Sequence, residues 1–376
     1  MKDDLTPQDA ERLTAYMQHM QACAVRSIGY PTATDYDYSA LFPLLDISLN
    51  NIGDPLIKST YELNSRDFEL EVLEFFAEIF NAPVNNWWGY VTNGGSEGNM
   101  YGLYVARELF PNGMVYYSDA THYSVQKNVH ILGLNSIVIR TQDNGEMDYD
   151  DLSDMIQLHR DHPVIIMANI GTTMTEARDD LNKINTVLKH LAVKQHYIHC
   201  DAALSGVYSA LLQNEPRFDF SCGCDSLAIS GHKFIGSPIP CGAVIVKKNY
   251  KDRIGQVIPY IGTADTTISG SRNGHSPVFL WYTIKKFGRE GLIKRAQDCI
   301  ALAQYTVKRL IELGLNAWAN PGAITVVSPI LPEHLRKKWQ LAGEGDVCHI
   351  ICMPGVTKRQ IDDFLLDVQD ELQSKG

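Results

Sequence analysis

Residues 164–203 read VIIMANIGTTMTEARDDLNKINTVLKHLAVKQHYIHCDAA. The run opens on an apolar stretch, residues 164–169, and closes on another, residues 197–200. Between them Ile184, Val187, Leu188 and Leu191 recur at the spacing of one face of a helix over residues 180–191. Strand, helix, strand in this order is a crossover unit, which belongs to a mostly parallel, buried sheet. The alternation extends outward. Residues 88–91, 114–117 and 136–140 upstream, and 226–230 and 242–246 downstream, are further strand candidates. Phe68, Val72, Phe75, Phe76 and Ile79 mark a helix within residues 65–80. The fold class is α/β.

The character changes around residues 265–277, within the Gly-, Ser- and Thr-rich stretch TADTTISGSRNGHSP. A long helical pattern follows over residues 278–313. Then come a strand (324–330), a helix (332–341), a strand (348–353) and a last amphipathic helix carrying Ile361, Phe364, Leu365, Val368 and Leu372 on one face. We expect a large domain over residues 56–265 and a small α+β domain over 266–376. Residues 1–55 read as an arm, because Gly29-Tyr30-Pro31 and Asn50-Asn51 interrupt any long element.

Among 376 residues the formal net charge is −11, with Lys and Arg scattered, so no basic field for nucleic acid is expected. The acidic, polar start is unlike a secretory signal, and no apolar run approaches the roughly 18 residues of a membrane span. We therefore expect a cytoplasmic protein that binds neither nucleic acid nor membrane. The eight cysteines are irregularly spaced; the nearest pair, Cys222 and Cys224, is neither a zinc knuckle nor a redox motif. His159 and His162, the close histidine pair, lie on a polar helix face, and no metal site is expected.

Four local patterns carry chemistry. Thr92-Asn93-Gly94-Gly95-Ser96-Glu97-Gly98-Asn99 lies between a strand and a helix, where exposed backbone N–H groups make an anion site; a tight turn would read the same way. Asp201 ends a strand, facing the crevice where open α/β sheets bind ligands. It could hold a proton on a pyridine nitrogen, or simply cap a helix. Ser230-Gly231-His232-Lys233-Phe234 follows another strand. A lysine in a cleft loses charge and can form an imine with an aldehyde. Thr121-His122-Tyr123-Ser124 offers an imidazole that could lie on an aromatic ring, or a structural histidine.

The order of these patterns resembles the fold-type I, group II pyridoxal-phosphate amino-acid decarboxylases over nearly the whole chain. The resemblance is closest to the short bacterial histidine decarboxylases, in the strings GYPTATDYDY, WGYVTNGGSEGNM, THYSV, NGEMDYDDL, ANIGTT, DAALSG, SGHKFIGSPIPCG and GSRNGH. Asn50–Pro55 and Trp339–Ala342 look instead like the plant serine decarboxylases, whereas Ala203, Ser205 and Ser237 look like the histidine enzymes. Met174-Thr175-Glu176-Ala177-Arg178 departs from the Gly-Ala of either branch. The resemblance implies that pyridoxal 5'-phosphate is the cofactor, carried by Lys233 as a Schiff base. It implies that Asp201 pairs with the pyridine nitrogen, Ala203 packs on one ring face and His122 stacks on the other near the substrate. Gly95, Ser96 and His232 would approach the phosphate, and Thr172 the ring hydroxyl. Tyr260, in a Gly-containing loop (254–267) without clear period, would close over the substrate and deliver the proton. A homodimer with active sites at the interface follows from the same resemblance.

The implied activity is decarboxylation of a free L-amino acid, first L-histidine to histamine and CO2, with serine or another small amino acid as the alternative. An aminotransferase on this fold would need an arginine for the α-carboxylate. The candidates Arg289, Arg295, Arg309, Arg336 and Arg359 lie in helical stretches expected to be exposed. A cofactor-free relative or a metal hydrolase fits less well, since Lys233 and Asp201 are both present.

Overall fold

The computed structural model describes residues 5–58, 60–253, 256–258 and 263–374, with backbone alone for 256–258 and 263–265. The chain begins with helix α1 (Pro7–Ala24), capped by Thr6 and started by Pro7. Then come β1 (Asn50–Ile52), α2 (Arg66–Ile79), β2 (Trp87–Thr92) and α3 (Gly95–Leu109). The crossovers continue with β3 (Met114–Ser118), α4 (Ser124–Ile131), β4 (Asn135–Ile139), α5 (Tyr149–Leu158), β5 (Val164–Asn169), α6 (Leu181–His190) and β6 (His196–Asp201). After α7 (Gly206–Leu212) come β7 (Ser226–Ser230), β8 (Gly242–Lys247), α8 (Lys248–Lys251), β9 (Gln256–Ile258), β10 (Thr263–Asp265) and β11 (Ser271–Asn273). The last part holds α9 (His275–Glu312), β12 (Thr325–Pro329), α10 (Glu333–Trp339), β13 (Gly343–Glu344), β14 (Val347–Ile351) and α11 (Lys358–Ser374).

Seven strands form the main sheet in the order β2-β8-β7-β6-β5-β3-β4, parallel except for β8. All six residues of β5 are buried, as a parallel strand covered on both faces requires. The register aligns Asn169 with Asp201, Asp201 with Ala228, and both Ser230 and Thr92 with Gly242. The ends of β2, β5, β6 and β7 and the start of β8 therefore meet at one edge. Of the residues singled out in the sequence, Gly95, Asp201 and Lys233 lie at this edge or in the turns beside it.

Three elements differ from the reading of the sequence. The arm contains the 18-residue helix α1, none of whose residues is buried. Leu13, Tyr16, Met17 and Met20 recur there at helical spacing, and the reading of the arm passed over them. The long helix α9 is broken at Gly288, which takes φ 60° and ψ 179°. Its first half packs Leu280, Ile284 and Leu292 into the main core, and its second half packs Ala303 and Leu310 into a second core with Ile28, Val326, Trp339 and Phe364. The stretch expected as an aperiodic loop holds the antiparallel pair β9–β10. Three-residue strands are too short to show alternation. Tyr260 lies outside the described residues. No described helix is long and apolar enough to cross a membrane.

Candidate active site

The phosphate-cradle candidate is a glycine turn in which the Glu97 carboxylate accepts from Asn93 N–H at 2.9 Å. Gly94, at φ 140°, turns the chain from β2 into α3, and a Cβ on Gly95 would lie 2.9 Å from both the Ala203 Cβ and the Ser230 Oγ. Only glycine lets this helix start approach the ends of β6 and β7 so closely. Asn128 anchors the turn by donating from Nδ2 to the Ser96 carbonyl at 2.8 Å. His232 stands beside Gly94, with its Nδ1 2.8 Å from the Cys241 carbonyl. Burial holds its pKa below the ordinary value, against that hydrogen bond.

Lys233 sits on the turn after β7, at a non-helical φ of −82° and ψ of −107°. Burial lowers its ammonium pKa, while the charges of Asp201 and Glu176 pull the other way. The arm grips this turn from outside. Ala33 N–H donates to the Lys233 carbonyl at 3.3 Å, and the Tyr38 hydroxyl donates to the Gly236 carbonyl at 2.6 Å. Arg295 donates from Nη1 to the Phe234 carbonyl at 3.1 Å and pairs with Asp35. The expectation that Arg295 is exposed is therefore corrected: it is 8% exposed, with Phe287 and Phe234 flanking the guanidinium. Its charge is committed to Asp35, so it is not free to hold a substrate carboxylate. Periodicity placed it on a helix face, and the arm that covers that face could not be located from spacing.

Asp201 is 7% exposed at the end of β6. Its Oδ1 accepts from Ala203 N–H at 3.2 Å and its Oδ2 from Asn99 Nδ2 at 2.7 Å. One oxygen is thus held by a local turn bond and the other faces α3, while the helix that follows starts at Gly206, with Ser205 and not Asp201 at its N-cap. His122 lies close enough to Asp201 and Lys233 to feel both charges. Burial lowers its pKa, with Asp201 opposing and Lys233 and Lys127 adding to the shift. Ser124 N–H donates to its Nδ1 at 3.3 Å, so the neutral ring carries its proton on Nε2. The preceding loop is fixed by Asn169, whose Nδ2 donates to Ser118 Oγ at 3.0 Å and Thr121 Oγ1 at 3.1 Å.

Thr172 is buried, and its hydroxyl accepts from Ala177 N–H at 3.0 Å and shares a hydrogen bond with Thr175 at 2.9 Å. That occupies it within its own loop. In the same loop Glu176, at φ 54° and 1% exposed, accepts from Ile324 N–H at 3.2 Å and the Thr325 hydroxyl at 2.5 Å. Burial pushes its carboxyl pKa up to about 7. Sequence reading missed Asn99, His199, Asp35 and Tyr38. Asn99 and His199 lie inside quoted stretches, at helix and strand positions, which was the available signal.

The pyridoxal-dependent decarboxylase conserved domain matches residues 30–316. The chain is 48% identical over 358 residues to a histidine decarboxylase of Mesorhizobium japonicum, covering 95% of this chain and 97% of that protein. It is 47% identical over 372 residues to a histidine decarboxylase of Acinetobacter baumannii, covering 98% and 97%. Among solved structures, L-methionine decarboxylase from Streptomyces sp. 590 superposes with a TM-score of 0.88 at 25% identity, covering 98% of this chain and 97% of that one.

Proposed function

The chain belongs to the pyridoxal-dependent decarboxylase family, and from that premise we propose that it converts L-histidine to histamine and CO2. The observation that carries the substrate is near full-length identity of 47–48% to two histidine decarboxylases. The chain's own chemistry fits pyridoxal 5'-phosphate: a helix start opened by Gly94 and Gly95 for a phosphate, a lysine whose amine burial helps to deprotonate, and a nearby carboxylate. When bound, that group withdraws the electron pair left as CO2 departs.

In this reading Gly95, Ser96 and His232 hold the phosphate, and Lys233 supplies the amine that binds the aldehyde. Asp201 holds a proton on the ring nitrogen. His122, neutral and carrying its proton on Nε2, packs near the substrate, with Ala203 opposite. Thr172 acts through its loop. For the proton returned to the substrate carbon we assign Tyr260 first and His122 second. Six buried and eight unpaired cysteines suit a reducing cytoplasm.

We also propose a homodimer. On α1, Leu13, Tyr16, Met17 and Met20 recur at i, i+3, i+4 and i+7, and are 48%, 60%, 50% and 39% exposed. Phe42 and Leu45 are exposed too. An apolar stripe of this kind is stable in water only when covered, and a second copy would cover it. Sedimentation equilibrium should give twice the chain mass; a monomer at micromolar concentration overturns this.

The substrate test is CO2 and amine release from histidine, serine, methionine and aromatic amino acids by the cofactor-loaded protein. Histidine should have the highest kcat/KM. A higher value for serine or methionine would overturn the substrate and leave the family intact.

A further inference from the structure

Behind Asp201 runs a file of buried polar side chains that no step above uses. Asn99 Nδ2 donates to Asp201 Oδ2 at 2.7 Å. Asn99 Oδ1 lies 3.0 Å from His199 Nε2, and His199 Nδ1 lies 2.6 Å from Ser226 Oγ. The Tyr197 hydroxyl donates to Ser226 Oγ at 2.7 Å. Asn99 and Ser226 are 1% and 0% exposed, and Tyr197 and His199 are both fully buried.

We propose that Asn99 and His199 are positioning residues that present a one-way file of donors to Asp201 and fix which of its oxygens faces the cofactor. The inference rests on the reading of Asp201 as the partner of the ring nitrogen. The proton positions follow from a single premise. An ionised Asp201 can only accept, so the Asn99 amide must turn its Nδ2 toward it and its Oδ1 toward His199. Oδ1 can only accept, so His199 carries a proton on Nε2. Both polar neighbours of the ring are uncharged and it is fully buried, so it stays neutral; burial pushes its pKa down to about 3. Nδ1 is then bare and accepts from Ser226, whose oxygen accepts in turn from Tyr197. Every dipole points the same way, and each bond polarises the next. Protonated Asp201 would allow the opposite: Asn99 turned over, Nε2 bare and Nδ1 carrying the proton. The His199 tautomer therefore reports the direction in which the file runs.

The fold makes room for this file. A Cβ on Gly102 of α3 would run into the His199 ring, so glycine at that position admits the imidazole between helix and sheet.

The test reads the tautomer directly. Full-length protein labelled with ¹⁵N in histidine, with and without pyridoxal 5'-phosphate, should give a neutral His199 protonated on Nε2 at pH 7, assigned by the signal lost in His199→Gln. The reverse tautomer, or an imidazolium, overturns the proposal whatever the activity of the variants. In the loaded enzyme, His199→Leu leaves Asn99 Oδ1 without its donor. It should lower kcat about 10–100-fold, the usual cost of removing an orienting group, with KM within about threefold. His199→Gln can donate to Asn99 and accept from Ser226, and should recover most of kcat. Equal activity in the Leu and Gln variants also overturns the proposal. If instead Asp201→Asn keeps full activity while the tautomer is as stated, the role given to Asp201 fails and the file stands as structure.

Discussion

Two buried polar networks, one on the central strands β6 and β7 and one beside the edge strand β2, solve the same problem differently. In the file behind Asp201 every other member is neutral, and the single carboxylate is met by aligned dipoles. In the knot where the arm meets the large domain, each carboxylate meets a cation. Glu69, fully buried, accepts from Asn51 Nδ2 at 2.7 Å and Val91 N–H at 2.8 Å and pairs with Arg272. Asp54 accepts from Trp88 Nε1 and Thr266 Oγ1, each at 3.1 Å, and pairs with Lys251 at 3.0 Å. Arg272 also donates to the Gly53 carbonyl at 3.2 Å and lies over the Tyr90 ring. A cation neutralises a buried carboxylate and pins two segments together. A file of dipoles stabilises it while leaving its charge available to a ligand. The knot should therefore govern stability, and the file reactivity.

The sharpest break in that division is at the two charged ends. Asp201→Asn should lower kcat by on the order of 10³–10⁴-fold, because an amide cannot hold a proton on the ring nitrogen. Its unfolding midpoint should stay near wild type. A loss of less than tenfold in kcat would make Asp201 a turn residue only. Arg272→Leu should do the opposite. It strands Glu69 without its cation at no exposure, which costs about 3–5 kcal/mol. Urea denaturation should show that loss, while kcat of the folded protein at low temperature changes by less than about threefold. If kcat collapses and stability does not, the roles of the two networks are exchanged.

Glu176 tests the rule from a third position. It is as buried as Glu69, but its hydrogen bonds come from the Ile324 N–H and the Thr325 hydroxyl instead of an adjoining cation. Burial is the leading cause of its rise from 4.5 to about 7. Since the folded state binds this proton more tightly than the unfolded chain, its contribution to stability is whole below about pH 4.5. It is lost as pH rises to about 7, amounting to roughly 2–3 kcal/mol. Asp179, raised by burial to about 6, adds a slope of the same sign. Glu176→Gln mimics the protonated carboxyl, so its stability between pH 5 and 8 should fall less steeply than that of the parent. An unchanged slope would show that Glu176 stays ionised without a cation or an aligned file.

How far these features could be read from the sequence depends on whether the partners were local. The crossover strands were legible within one or two residues because β5 and its neighbours are buried on both faces and so run continuously apolar. Lys233, Asp201, His122 and Gly95 were legible because strand ends and short motifs place them. Asn99 and His199 stood in view and were passed over, since their meaning comes from a helix laid across a strand with 100 residues between them. Arg295 was misjudged for the same reason, its partner Asp35 being 260 residues away in the arm. Helix α1 carries an apolar stripe at Leu13, Tyr16, Met17 and Met20, but it buries none of its residues against this chain, so no partner element pointed to it.

The smallest expected effect sharpens the comparison most, because it asks how far along the file a change is felt. Tyr197 begins the file, four hydrogen bonds from Asp201, and is fully buried. Tyr197→Phe removes one hydroxyl and leaves the ring packing intact. Ser226 Oγ then loses the bond it accepts but still donates to His199, so no proton needs to move and the tautomer is preserved. The loss in stability should be near 1 kcal/mol, the net worth of one neutral hydrogen bond. Cooperative polarisation adds about 10–30% per bond, so little of the change should survive to Asp201. We expect kcat within about twofold of wild type, with the His199 ¹⁵N signals still those of an Nε2-protonated ring. Ser226→Ala, one link nearer, leaves His199 Nδ1 without its donor and should cost more in kcat than Tyr197→Phe, and less than His199→Leu. Losses that grow step by step toward Asp201 are what a directed file requires. An equal loss at every link would mark the four side chains as ordinary buried packing, with no direction for Asp201 to use.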